Sequence, residues 1–123
     1  MLFRSGNVLD PDLLLSKYGN DPVRWYLIKD IALGNDGDFQ DKRFVDIINN
    51  DLANTIGNLL NRTSSMSRKW FDNKVPNIEK VSSENKLKNL TNIAVEKYIQ
   101  KFETYKLDLA ANEVLSLAIN TNL

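Results

Sequence analysis

The 123-residue chain contains no cysteine and no histidine. Without cysteine there is no disulfide, no thiol nucleophile and no thiolate metal site. Without histidine the commonest metal ligand and the commonest general base near neutral pH are both missing. Proline is scarce, at three residues. No apolar run approaches the ~20 residues that a helix needs to cross a bilayer. Neither charge sign dominates: sixteen Lys and Arg balance sixteen Asp and Glu. A whole-molecule field that attracts nucleic acid is therefore not expected. Much enzyme chemistry is excluded from this stretch, and binding is the stronger expectation.

What is present suits one globular domain, or part of one. The apolar share is 42% and the charged share 26%, ordinary values for a packed chain. A chain of this size can hide roughly two thirds of the surface it exposes unfolded. The charges are unevenly spread. Residues 51–75 carry four basic and two acidic side chains, and only this segment is net positive. Residues 1–50 carry six basic and eight acidic side chains, and residues 76–123 balance at six each.

The pattern is helical throughout, with no sustained period-two alternation. Asp10-Pro11 reads as an N-cap followed by proline at the first helical position, with Gly19 placed to end that helix. Asp21-Pro22 repeats the signal and opens a helix, apolar almost all round, that Gly34 should stop. Residues 34–38 form a turn-rich break. Asp36 and Asp38 resemble the start of a calcium loop, but Ile47 and Ile48 stand where its closing acid belongs. A third helix is expected from about Asp41, with Phe44, Ile47 and Ile48 on one side. A long one should run from about Asp51 to Phe71. After a polar connector over 77–83, Ser83 is a plausible N-cap for a helix to about Thr104. That helix carries Leu87, Leu90, Ala94, Tyr98 and Phe102 close to a 3.6-residue period. A last helix from about Leu107 should bury Leu107, Ala110, Ala111, Val114, Leu115 and Ala118.

The 51–71 helix can be read as a wheel, at about 100° per residue. Leu52, Ile56, Leu59, Thr63, Met66 and Trp70 share one arc, the expected core-facing stripe. Asn54, Asn58, Arg62, Ser65 and Lys69 share another, which holds no acid. An Asn amide offers donors and an acceptor and can match a base edge. An Arg guanidinium pairs bidentately and stacks. Asn58 and Arg62, four apart, sit one above the other, which suits an unstacked nucleotide of a single-stranded loop. On pattern alone, a solvated face that keeps the helix soluble is the simpler reading. Trp25 and Trp70 lie on apolar stripes and read as core rather than as stacking platforms.

A resemblance covers nearly all of the chain. Gly6-Asn7-Val8-Leu9-Asp10-Pro11 is similar to the stretch that follows the signature loop of class I aminoacyl-tRNA synthetases. Lys17-Tyr18-Gly19-Asn20-Asp21-Pro22-Val23-Arg24-Trp25-Tyr26-Leu27 resembles the segment after it. Gly34-Asn35-Asp36-Gly37-Asp38-Phe39 resembles a run of the methionyl-tRNA synthetases. The most specific match is Asn49-Asn50-Asp51-Leu52-Ala53-Asn54-Thr55-Ile56-Gly57-Asn58-Leu59-Leu60-Asn61-Arg62, similar to that family's Asn-x-Asp-Leu-Ala-Asn-x-x-Gly-Asn-Leu-x-x-Arg. Phe71-Asp72-Asn73-Lys74-Val75-Pro76 also fits.

The resemblance implies an all-α helical bundle of the class Ia synthetase anticodon-binding type. Residues 1–40 would be the tail of the catalytic-domain connection, and 41–123 the anticodon-binding bundle, incomplete at its C-terminus. Asn58 and Arg62 would face the anticodon loop of methionine tRNA, with Asn54 and Lys69 as weaker candidates for backbone contact. The resemblance thus turns the polar arc from a solvated face toward RNA. The parent reaction would be ATP-dependent attachment of methionine to its tRNA, with magnesium. The lysines of the ATP-positioning loop are absent from Met1-Leu2-Phe3-Arg4-Ser5-Gly6, and the nucleotide-binding fold would lie in a catalytic domain upstream. Both ends read as truncated, and catalysis, cofactors and metals are not expected of these 123 residues by themselves. The expected setting is a bacterial cytoplasm, with an organelle matrix as the alternative, and no membrane partner. The competing reading is a helical protein-interaction module without an RNA role, docking through residues 22–32. A class I synthetase for another amino acid is disfavoured by the 49–62 stretch.

Overall fold

A computed structural model describes residues 10–34, 37–75 and 86–122. Several expectations lie outside the described residues: the Gly6–Leu9 match, Asn35 and Asp36 of the break, the 77–83 connector with the Ser83 cap, and Leu123.

The described residues form five helical bodies and no strand. Helix α1 spans Pro11–Tyr18. The Asp10 carboxylate accepts from the Asp12 N–H at 2.9 Å, so the expected cap is made. Gly19 ends the helix at φ +81°, a region that favours glycine, and its N–H donates to the Leu15 carbonyl at 2.9 Å. Helix α2, Asn20–Asp30, starts two residues earlier than the sequence suggests. Asp21 is therefore a first-turn acid rather than the cap, and Pro22 sits where no N–H is needed. The helix also stops before Ile31, which is extended, well short of the expected Gly34.

The largest departure lies in the middle. Two helices were expected from Asp41 and Asp51. Instead α3, Asp41–Ile47, runs without interruption into a π-helical segment, Ile48–Gly57, and on into α4, Asn58–Phe71. Ile47, Ile48, Gly57 and Asn58 all keep right-handed helical dihedrals, so no break separates the three pieces. Helices α5, Lys86–Glu103, and α6, Leu107–Thr121, complete the chain.

One core cluster joins α1, α2 and α3. Tyr26 and Phe44 are almost wholly buried, with Leu14 and Val23 beside them. Tyr18, Phe39 and Tyr26 surround the Phe44 ring at centroid distances of 4.6, 5.9 and 5.1 Å. These offset and tilted pairings are the ones aromatic quadrupoles favour. Asp30 ends α2, where the helix dipole disfavours a carboxylate. Arg43 of α3 offsets this: its Nε lies 2.7 Å and its Nη2 2.5 Å from Asp30 Oδ1.

Helix α6 forms the second centre of packing. Ala110, Ala111, Leu115 and Ala118 are buried where α6 meets α2, α5 and the π segment. Small residues let the axes approach closely. Lys29 Nζ of α2 bonds the Asn112 side chain of α6, and Lys101 of α5 pairs with Glu113 of α6. Val114, expected inside, is 41% exposed. Helix α5 has no buried residue among its Lys86–Glu103 span, so the expected Leu87–Phe102 stripe is only partly covered.

Candidate nucleic-acid interface

The helical stretch from Asp41 to Phe71 carries all four expected RNA-facing residues. Its π segment closes hydrogen bonds one residue wider than an α-helix. Two side-chain facts fit that register. Thr55 Oγ1 donates to the Asn50 carbonyl, five residues back, at 2.8 Å. A Cβ built on Gly57 would meet the Leu52 carbonyl oxygen, also five back, at 3.0 Å. Only a residue without a side chain accepts that approach at no cost. The π segment is fixed to the bundle by Trp25, whose Nε1 donates to Asp51 Oδ2 at 3.0 Å. Trp25 is thus half-buried and polar-anchored rather than simply packed.

Because the register changes, the α-helical wheel is valid from Asn58 onward and not across 48–57. Asn58, Arg62 and Lys69 share one side of α4 and are all exposed. Asn54 is exposed too, but it stands in the π segment, so its direction is set by the wider turn. The expected core stripe of this helix fails in its second half. Leu59 is half-buried, whereas Met66 is 38% and Trp70 61% exposed. The physical reason is position: among the described residues no separate helix packs broadly on α4, which only continues the π segment. Trp70 is therefore surface, contrary to the core reading.

The electrostatics of α4 are one-sided. Arg62, Arg68 and Lys69 stand on it, and no Asp or Glu does. Arg68 and Lys69 occupy the last turn, where the helix dipole also favours cations. Arg62 has a fixed partner. Its Nη1 donates to the Asn122 backbone carbonyl at 3.1 Å and to Asn122 Oδ1 at 3.2 Å. Sequence reasoning had no signal for Asn122, because the pairing joins residues sixty positions apart. The Asp51 tether to Trp25 was equally hidden.

Among the described residues no three His, Cys, Asp or Glu side chains converge to hold a metal. An apolar groove of about 180 Å³ lies between α2, α5 and α6, lined by Trp25, Ile28, Tyr98 and Phe102 among others. Its lining is apolar, with little to orient a polar substrate.

The family description "tRNA synthetases class I (M)" matches residues 4–64. The methionine–tRNA ligase of Thermosynechococcus vestitus is 43% identical over 115 residues, which is 92% of this chain and 22% of that protein. That of Oceanobacillus iheyensis is 40% identical over 119 residues, 95% of this chain and 18% of that protein. Among solved structures, Mycobacterium tuberculosis methionyl-tRNA synthetase bound by methionyl-adenylate superposes with a TM-score of 0.87 and 31% identity. That match covers 98% of this chain and 24% of the other. The chain thus spans about a fifth of the length of these curated relatives. With an all-helical fold shared at that identity, the chain belongs to the methionyl-tRNA synthetase family of class I.

Proposed function

We propose that this chain is the anticodon-reading part of a methionine–tRNA ligase, which attaches methionine to its tRNA at the expense of ATP. The observation that carries the proposal is the exposure of Asn58 and Arg62, one turn apart on a helix that has no acidic residue. A guanidinium can grip one base edge bidentately or stack on it, and a neighbouring amide can read a second edge. Single-stranded loops present such edges unpaired. Lys69, on the same side of α4, suits a phosphate, which fixes register without reading sequence. Asn54 suits a sugar or phosphate contact at the near end. Residues 41–123 then form the RNA-facing bundle, and residues 1–40 the seam to a catalytic domain in cis. ATP and magnesium act in that domain, and the stretch that would lie nearest to them, Met1–Leu9, lies outside the described residues. The whole ligase would work in a bacterial-type cytoplasm. Among the described residues no helix is long and apolar enough to cross a membrane.

A protein-docking role through α2 has less support. Trp25, the natural anchor for such a surface, already donates to Asp51 within the chain.

The test is binding of the 123-residue chain to a methionine-tRNA anticodon stem-loop with a CAU loop, beside a scrambled loop. CAU should bind more tightly, with affinity falling as salt rises. Arg62→Ala should cost about 1–3 kcal/mol, the range for a good bidentate base contact. Equal binding of both loops, or of wild type and Arg62→Ala, would remove this face from recognition.

A further inference from the structure

We infer that Asn122 is a positioning residue whose side chain holds the Arg62 guanidinium ready for RNA. The inference rests on the anticodon reading and adds the device that aims its principal side chain. Asn122 is half-buried at the end of α6. Its N–H donates to the Ala118 and Ile119 carbonyls at 3.1 Å, so it is held to a helix whose Leu115 and Ala118 are buried. Both of its oxygens then accept from Arg62 Nη1, at 3.1 and 3.2 Å. Its amide Nδ2 points the other way and donates to the Thr55 carbonyl in the π segment at 3.4 Å. One asparagine side chain therefore spans α6, the π segment and the start of α4.

Two physical consequences follow from that arrangement. Nη1 is spent on Asn122, while the Nε–Nη2 edge is not used by either bond, and that edge is a bidentate fork. An exposed arginine normally loses rotamer freedom when it binds; an arginine already anchored through one nitrogen has less to lose. The core thus reaches the RNA-facing edge through a short chain of contacts: buried α6 face, Asn122, Arg62. Broad packing cannot serve instead, because among the described residues no separate helix packs broadly on α4.

A double-mutant cycle on the 123-residue chain tests this, using Asn122→Ala, Arg62→Ala and the pair, with the CAU stem-loop as ligand. Asn122→Ala should weaken binding about two- to tenfold, the range for releasing one immobilised side chain. It should cost nothing more once Arg62 is already alanine. NMR order of the Arg62 Nε–Hε group, measured without RNA, should fall in Asn122→Ala and recover in Asn122→Asp, which restores the acceptor. Unchanged order and unchanged affinity in Asn122→Ala would overturn the inference. So would an equal loss in the Arg62→Ala background, since that would mean a general effect on α6. If Arg62→Ala itself binds as wild type, the anticodon reading fails and takes the inference with it. If Arg62→Ala weakens binding while Asn122→Ala does not, the positioning role alone is refuted.

Discussion

Tyr26 carries a hydroxyl that the aromatic core does not need. The residue is 2% exposed, and its hydroxyl has no hydrogen bond of ordinary geometry. Burial first, and the nearby Asp30 carboxylate second, push its phenol from 10.0 up to about 12. The folded state therefore favours the neutral phenol. That contribution is fully present below pH 10.0 and is lost as pH rises toward about 12. Tyr26→Phe keeps the ring contacts with Phe39 and Phe44 and removes the unpaired oxygen. Stability at pH 7 should hold or rise, by up to about 1–3 kcal/mol, the cost of an unsatisfied buried group. The alkaline loss of stability between pH 10 and 12 should shrink at the same time. Urea midpoints at pH 7 and pH 11 measure both effects; a large loss at pH 7 would mean that the hydroxyl has a partner after all.

Among the elements, the π segment does the most to shape the site. It sets the rotational phase between Asp51, tied to Trp25, and Arg62, tied to Asn122. Tightening it to an α-helix would turn one tether away while the other stayed. Gly57 is the position at which this phase is most easily disturbed. Gly→Ala ordinarily stabilises a helix interior by about 1 kcal/mol. Here the new Cβ would press on a backbone carbonyl at 3.0 Å, which cannot swing aside as a side chain can. Gly57→Ala should therefore destabilise by about 1–3 kcal/mol, as overpacking does, with overall helicity retained. Circular dichroism and a shift in Trp25 emission, as its bond to Asp51 breaks, would report it. A more stable variant with unchanged emission would show that the wide turn has slack. The same element explains why the apolar stripe of α4 is not core. The stripe was read on the assumption of one α-helix packed along its length, whereas α4 extends past its neighbours and leaves Trp70 at the surface.

At the scale of the whole molecule, the buried face of α6 joins it to α2, α5 and the π segment, and a few polar ties reinforce that packing. Helix α5 docks on α6 and contributes no fully buried residue, so the Lys101–Glu113 pair is its most specific link. The bonded Lys101 ammonium holds the Glu113 carboxyl below its ordinary 4.5. A depressed carboxylate contributes stability above the unfolded value of 4.5 and loses it as pH falls through the lower folded value. Acid should therefore loosen α5 before it melts the Tyr26–Phe44 cluster. Amide hydrogen exchange of 86–103 should accelerate in that window relative to 41–47, and Lys101→Met should abolish the difference in pH response. Uniform acceleration across the chain would show instead that the bundle opens as one unit.

Local signals were legible in the sequence because their causes are local. The Asp10 cap with Pro11, the glycine stop at 19, the Phe44 face of α3 and the small inner face of α6 each depend on neighbours within a turn or two. The basic, acid-free side of Asn58, Arg62 and Lys69 was legible too, since a helix face follows from spacing alone once α-helical register holds. Register itself was not legible. Residues 48–57 close five back where Trp25 and Asn122 tether them, and those tethers depend on which helices meet. Spacing along the chain determined which side chains share a face; packing between distant segments decided where that face points and what holds its arginine, because those contacts exist only once α6 has folded against α2 and the π segment.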